Sequence, residues 1–125
     1  MNDDDMRDLL IEHMGKGFLE NIISLFKQEP GLARFIPDML GQEDLRVRLG
    51  TTALVEEMAG THGEVLLRAV PGLIMLLRHE NPTIRGDAAY VLGVMREPAA
   101  REPLTVLLND EHPAVREIAA EALAA

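Results

Sequence analysis

Leu107-Leu108-Asn109-Asp110-Glu111-His112-Pro113-Ala114-Val115-Arg116-Glu117-Ile118-Ala119-Ala120-Glu121-Ala122-Leu123 repeats a run that begins 31 residues earlier. That run is Leu76-Leu77-Arg78-His79-Glu80-Asn81-Pro82-Thr83-Ile84-Arg85-Gly86-Asp87-Ala88-Ala89-Tyr90-Val91-Leu92. Leu-Leu, Glu, Pro, Ile/Val-Arg, Ala-Ala and Leu recur at one offset. A period of this length marks stacked supersecondary units, each burying against its neighbours a face it cannot bury alone. A weaker third copy, Met39-Leu40-Gly41-Gln42-Glu43-Asp44-Leu45-Arg46-Val47-Arg48 with Thr51-Thr52 and Val55, precedes the middle one at an offset of 37. The extra residues fall around Ala59-Gly60-Thr61-His62-Gly63, between units, where a stacked array tolerates a change of length.

Each unit reads as two antiparallel helices, A then B, joined by a short turn. The middle A helix is predicted from about Glu64 to Arg78, bent or restarted at Pro71. The middle B helix starts at Pro82, where a missing N–H costs nothing, with Asn81 as N-cap. Asp44 caps the first B helix, and His112 is a poorer cap for the last. Pro98 and Pro103 bracket the start of the last A helix. Before residue 30 identity fades but the helical rhythm continues. One helix starts near Asp3–Asp5 and stops at Gly15-Lys16-Gly17; a second, marked by Phe18, Ile22, Leu25 and Phe26, ends before Pro30-Gly31. The expectation is a single domain over 1–125: a degenerate N-terminal capping pair at about 3–29, then repeats at 31–59, 64–96 and 98–125.

Composition agrees with this all-α reading. Apolar residues make up 47% of the chain and aromatics only 3%, so the core must be Leu, Ile, Val, Met and Ala. With no cysteine there is neither a disulfide framework nor a thiolate site. The N-terminus Met1-Asn2-Asp3-Asp4-Asp5 is acidic where a secretory signal needs positive charge. The apolar run Val65 to Leu77 is broken by Arg68 and Pro71 and is too short to span a bilayer. A soluble, cytoplasmic protein is therefore expected. A net charge of −9 argues against nucleic acid and anionic membranes as partners and leaves proteins or small molecules, the acidic B-helix face favouring a basic protein.

The unit Leu-Leu-x-x-Glu-x-Pro-x-Val/Ile-Arg-x-x-Ala-Ala-x-x-Leu resembles HEAT repeats of the short type named after phycobilisome lyases, over roughly residues 32 to 125. The resemblance implies a right-handed α-solenoid of about four helix pairs, an armadillo-like superhelix whose B helices line a concave face and bind partners. Three departures stand out. The family's Asp six residues before the repeated Arg is present only as Asp110; His79 and Gln42 replace it, so an Asp–Arg ladder between repeats is expected to be incomplete. Thr51-Thr52 replaces the paired alanines in the first copy, and no polar capping helix follows the last B helix before Ala125.

The candidate chemistry is thin. Arg48, Arg85 and Arg116 share one position in the first turn of each B helix and are expected to bond loop acids and carbonyls rather than a ligand. Some HEAT-like proteins are metal-dependent hydroxylases of a modified lysine, with a His-Glu pair after this arginine. Here those places hold Leu49-Gly50, Gly86-Asp87 and Glu117-Ile118. His13, His62, His79 and His112 occupy non-equivalent positions, so no metal or cofactor set is expected. Ser24, Thr51 and Thr52 lie in helical apolar patterns, and Gly15-Lys16-Gly17 lacks phosphate-loop spacing. The expectation is a non-catalytic protein-interaction module, the alternative being an accessory subunit of a HEAT-like enzyme such as a bilin-lyase-type complex. Threading the B helices in register puts Arg46, Leu49, Asp87, Tyr90, Glu117 and Glu121 forward as partner-binding residues. The end from Ile118 to Ala125 is apolar on more than one side and suggests self-association through the last helix.

Overall fold

The computed structural model describes residues 1–125 and is all-helical. Helices α1 (Asp3–Gly15) and α2 (Leu19–Gln28) precede three A–B units. The B helices are α4 (Leu45–Thr61), α6 (Pro82–Met95) and α8 (Pro113–Ala124). The A arms are broken: 3-10 turns at Pro30–Phe35, Gly63–Ala69 and Pro98–Ala100 lead into α3 (Ile36–Leu40), α5 (Val70–Leu76) and α7 (Arg101–Val106). Pro37, Pro71 and Pro103 sit in the first turn of these short helices, where a residue without an N–H starts a helix but cannot continue one. The break expected at Pro71 therefore occurs one residue earlier, with the α-helical part starting at Val70.

The ends follow local chemistry. Asn2 and Asp5 form a reciprocal capping box on α1, whose first turn carries three aspartates at the positive end of its dipole. Gly17, at φ +87°, turns the chain after α1, a conformation open to glycine at little cost. The Asp44 and Asn81 side chains accept from the N–H groups of Arg46 and Thr83, each at 2.9 Å. His112 makes no side-chain cap bond. At the C-terminal end of α6 the cap residue is Arg96, at φ 53° the one non-glycine in the left-handed region. Arg96→Gly is expected to stabilise the protein by up to about 1 kcal/mol, read as a raised midpoint of urea unfolding.

The B helices lie side by side, with α4 against α6 and α6 against α8. A contiguous core of 29 buried apolar side chains runs from Leu10 to Ala119. Small residues set the closest approach: Ala88 and Ala89 on α6 are fully buried, and Gly93 faces Ala122 of α8. In α4 the corresponding Thr51 is also fully buried, its hydroxyl donating to the Val47 carbonyl at 2.7 Å. Thr52 bonds the Arg48 carbonyl in the same way. A threonine replaces a core alanine at small cost because its own helix satisfies the hydroxyl.

Candidate functional site

The repeated arginines are structural. Arg48 donates through Nη1 to the carbonyls of Gln42 and Glu43, and Arg85 does the same to His79 and Glu80. Each guanidinium thus ties down the turn between its own A and B helices. Each then reaches a carboxylate of the next unit. Arg85 grips Asp110 with Nε at 2.9 Å and Nη2 at 3.0 Å, a bidentate pair with both side chains at most one-tenth exposed. Arg48 meets Asp87 at 3.0 Å. The ladder expected to be interrupted at His79 is therefore continued by a different residue, an aspartate three residues past the start of the Ile84-Arg85 pair on the B helix.

His79 keeps half of the missing aspartate's work. Asp110 accepts the His112 N–H at 2.9 Å, and in the equivalent turn the His79 Nδ1 accepts the Asn81 N–H at 3.0 Å. An imidazole can close the turn but cannot pair with Arg48, and Asp87 supplies that charge. The two carboxylates feel their surroundings differently. The Arg85 hydrogen bond holds Asp110 below the usual carboxylate range, whereas burial pushes Asp87 up against the pull of Arg48.

The signs of pH dependence follow. A depressed folded-state value stabilises above the unfolded carboxylate pKa of about 3.9, and that contribution is lost as pH falls through the folded value. For Asp87, with a raised value, protonation on acidification favours the fold instead. Asp87→Asn is therefore expected to cost at most about 1 kcal/mol near neutral pH and to steepen the acid limb slightly, because a group whose protonation favours the fold is gone. Asp110→Asn is expected to cost more and to flatten that limb. Urea midpoints between neutral pH and the acid limb check both.

The six residues put forward from sequence are not brought to one place. Arg46 and Leu49 of α4, both exposed, line a groove of about 380 Å³ with Met14, Lys16 and Leu19. Tyr90 of α6 and Glu121 of α8 line a second, of about 240 Å³, with Val94, Arg96, Ile118 and Ala122. Glu117 is exposed one turn before Glu121 and outside both grooves. Asp87 is committed to Arg48. The Tyr90 hydroxyl donates to Glu56 of α4 at 2.6 Å, and this bond raises the tyrosine's pKa. The ring, 43% exposed, is thereby fixed across two B helices with its edge open.

Arg96 was not read from sequence as a site residue, because nothing in the repeat pattern singles out a left-handed cap. It borders the Tyr90 groove and a second one of about 460 Å³ that contains Glu56, Leu67 and Met95. No three His, Asp or Glu side chains lie where they could hold a metal ion. The residues after the repeated arginines likewise do not fit the His-Glu metal sites of HEAT-like hydroxylases. No helix is long and apolar enough to cross a membrane.

A family model of HEAT repeats matches residues 68–125, the last two units. Over 57 residues the chain is 47% identical to a deoxyhypusine hydroxylase-B of Oryza sativa subsp. japonica, covering 44% of this chain and 19% of that protein. The match spans about a fifth of the relative's length. That relative bears an enzyme's name, which corrects the expectation of a non-catalytic chain drawn from the absence of a recognisable constellation. The residues that recur in this chain's own repeats stack helices and are silent about chemistry in either direction. Residues 68–125 thus match HEAT repeats, and the helix pairs and arginine-tied turns give the whole chain a HEAT-like helical repeat architecture.

Proposed function

We propose that the chain is a protein-interaction module that docks a basic partner on the face formed by α4, α6 and α8. The observation that carries this reading is the Tyr90–Glu121 groove. An aromatic edge, two half-buried apolar side chains (Val94 and Ile118) and a free carboxylate converge there. Tyr90 offers area at low entropic cost because Glu56 already holds its hydroxyl. Glu117 and Glu121 stand exposed along α8 and would steer a cationic segment to the groove. Arg46 with Leu49 offers a second anchor at the far end of the same face. In this reading Asp87 serves the site by holding Arg48, not by touching the partner.

Affinity capture with the full chain, followed by mass spectrometry and titration of the captured protein, tests the proposal. One dominant basic partner is expected. Tyr90→Ala should weaken it roughly thirtyfold, a hot-spot effect of about 2 kcal/mol. Reversing Glu117 and Glu121 to lysine should weaken it further at low salt than at high salt. Binding indifferent to both changes would remove the reading.

The 47% identity to the rice protein favours a second reading, in which these repeats belong to a hydroxylase acting on deoxyhypusine. Incubating the chain with a deoxyhypusine-bearing protein and following gain of one oxygen by mass spectrometry tests it. No gain of oxygen under conditions where an authentic hydroxylase reacts would eliminate that reading.

A further inference from the structure

The A arms carry an exposed apolar stripe that the repeat itself does not need. Met75 is 74% exposed and Val106 69%. They occupy the same place in successive units, and the first unit has Asp38 there. The stripe is thus confined to the last two units. It borders a groove of about 470 Å³ between α5 and α7, walled by Ile74, Leu77, Pro103 and Leu107. Two opposite charges frame the groove, Arg78 just past the end of α5 and Glu102 in the first turn of α7. Successive arms of the repeat run in the same direction, so the charges mark opposite ends of the groove. Both residues are exposed, and neither side chain has an ion-pair or hydrogen-bond partner within the chain.

We infer that this groove is the self-complementary face of a two-fold dimer of the chain. A two-fold axis lying in the interface diagonally to the groove reverses its ends and exchanges its walls. Arg78 of each copy then falls over Glu102 of the other, and Met75 packs near the other copy's Val106. A net charge of −9 repels copies elsewhere, but here the framing charges cancel, so this is where two copies can approach. The face of α8 is less suited to that role. Glu117 and Glu121 are exposed along it, and two copies meeting there would set like charges against each other.

Sedimentation equilibrium on the full chain, up to roughly 0.5 mM, is the test. Twice the monomer mass is expected. Arg78→Glu and Glu102→Arg should each weaken association roughly a hundredfold, since the axis repeats every like-charge contact twice. Combining them should restore the dimer, because the swapped charges again face each other. Both positions are exposed, so folding is unaffected, and circular dichroism verifies that. Val106→Asp should abolish the dimer with unchanged helicity. A chain that stays monomeric overturns the inference. So does a dimer indifferent to the single reversals, one not restored by the double change, or one that dissociates when Glu117 and Glu121 are reversed instead.

Discussion

Replacing Arg85 by alanine should cost about 3–5 kcal/mol, the cost of removing one member of a buried ion pair. Three groups lose the guanidinium together: the Asp110 carboxylate, only 7% exposed and left with the His112 N–H alone, and the carbonyls of His79 and Glu80. The side chain fastens the turn of one unit and the start of the next, so the loss reaches both. Against a typical domain stability of about 5–15 kcal/mol, the variant would be near the edge of folding at room temperature. Urea denaturation followed by circular dichroism reads it. Arg48→Ala should cost less, because its partner Asp87 is one-third exposed and can rehydrate. Combining Arg85→Met with Asp110→Asn should recover part of the loss. Coupling of at least about 1 kcal/mol between the two positions is expected for groups in direct contact.

Gly93→Leu should cost about 2–3 kcal/mol, for the opposite reason. A side chain there meets Ala122 head-on: even a Cβ would lie 2.7 Å from the alanine's Cβ and 2.9 Å from its Cα. Backbone cannot swing away as a side chain can, so α6 and α8 must separate. The penalty includes lost contact along the whole seam, partly countered by about 1 kcal/mol of helix propensity. Gly50 makes the useful contrast. Its Cβ would press on Sδ and Cγ of the buried Met14, a side chain that can change rotamer where backbone cannot, so Gly50→Ala should cost less, about 1 kcal/mol. Thermal unfolding of the two variants side by side separates a backbone-limited contact from an adjustable one.

Much of this was legible in the sequence, for a definable reason. The Pro-x-Ile/Val-Arg step announces a helix start and the Ala-Ala pair announces close packing, so the B helices were found with their caps. Helix breaking at Pro71 was legible too, since proline's missing N–H acts locally. Pairing between units was harder. Asp87 looked like one more solvent-facing acid because its register on α6 is right for that face. Only the three-dimensional offset between α4 and α6 brings it to Arg48. The Tyr90–Glu56 bond crosses the same seam and was equally hidden. Arg96 gave no signal, because a left-handed cap is ordinarily announced by glycine. So regular a sequence carries no catalytic signature, yet part of it is shared with a protein named as a hydroxylase, so that lack does not exclude catalysis.

Docking of partners is proposed for the α4–α6–α8 face at the Tyr90–Glu121 groove. Amide chemical shifts of the full chain, followed while a Lys- and Leu-rich amphipathic peptide is added, test it most directly. Shifts should concentrate on Tyr90, Val94, Ile118 and Glu121 and weaken with Tyr90→Ala and with added salt. Shifts gathered instead around Met75 and Val106 on the A arms, or no binding to the peptide, would contradict it.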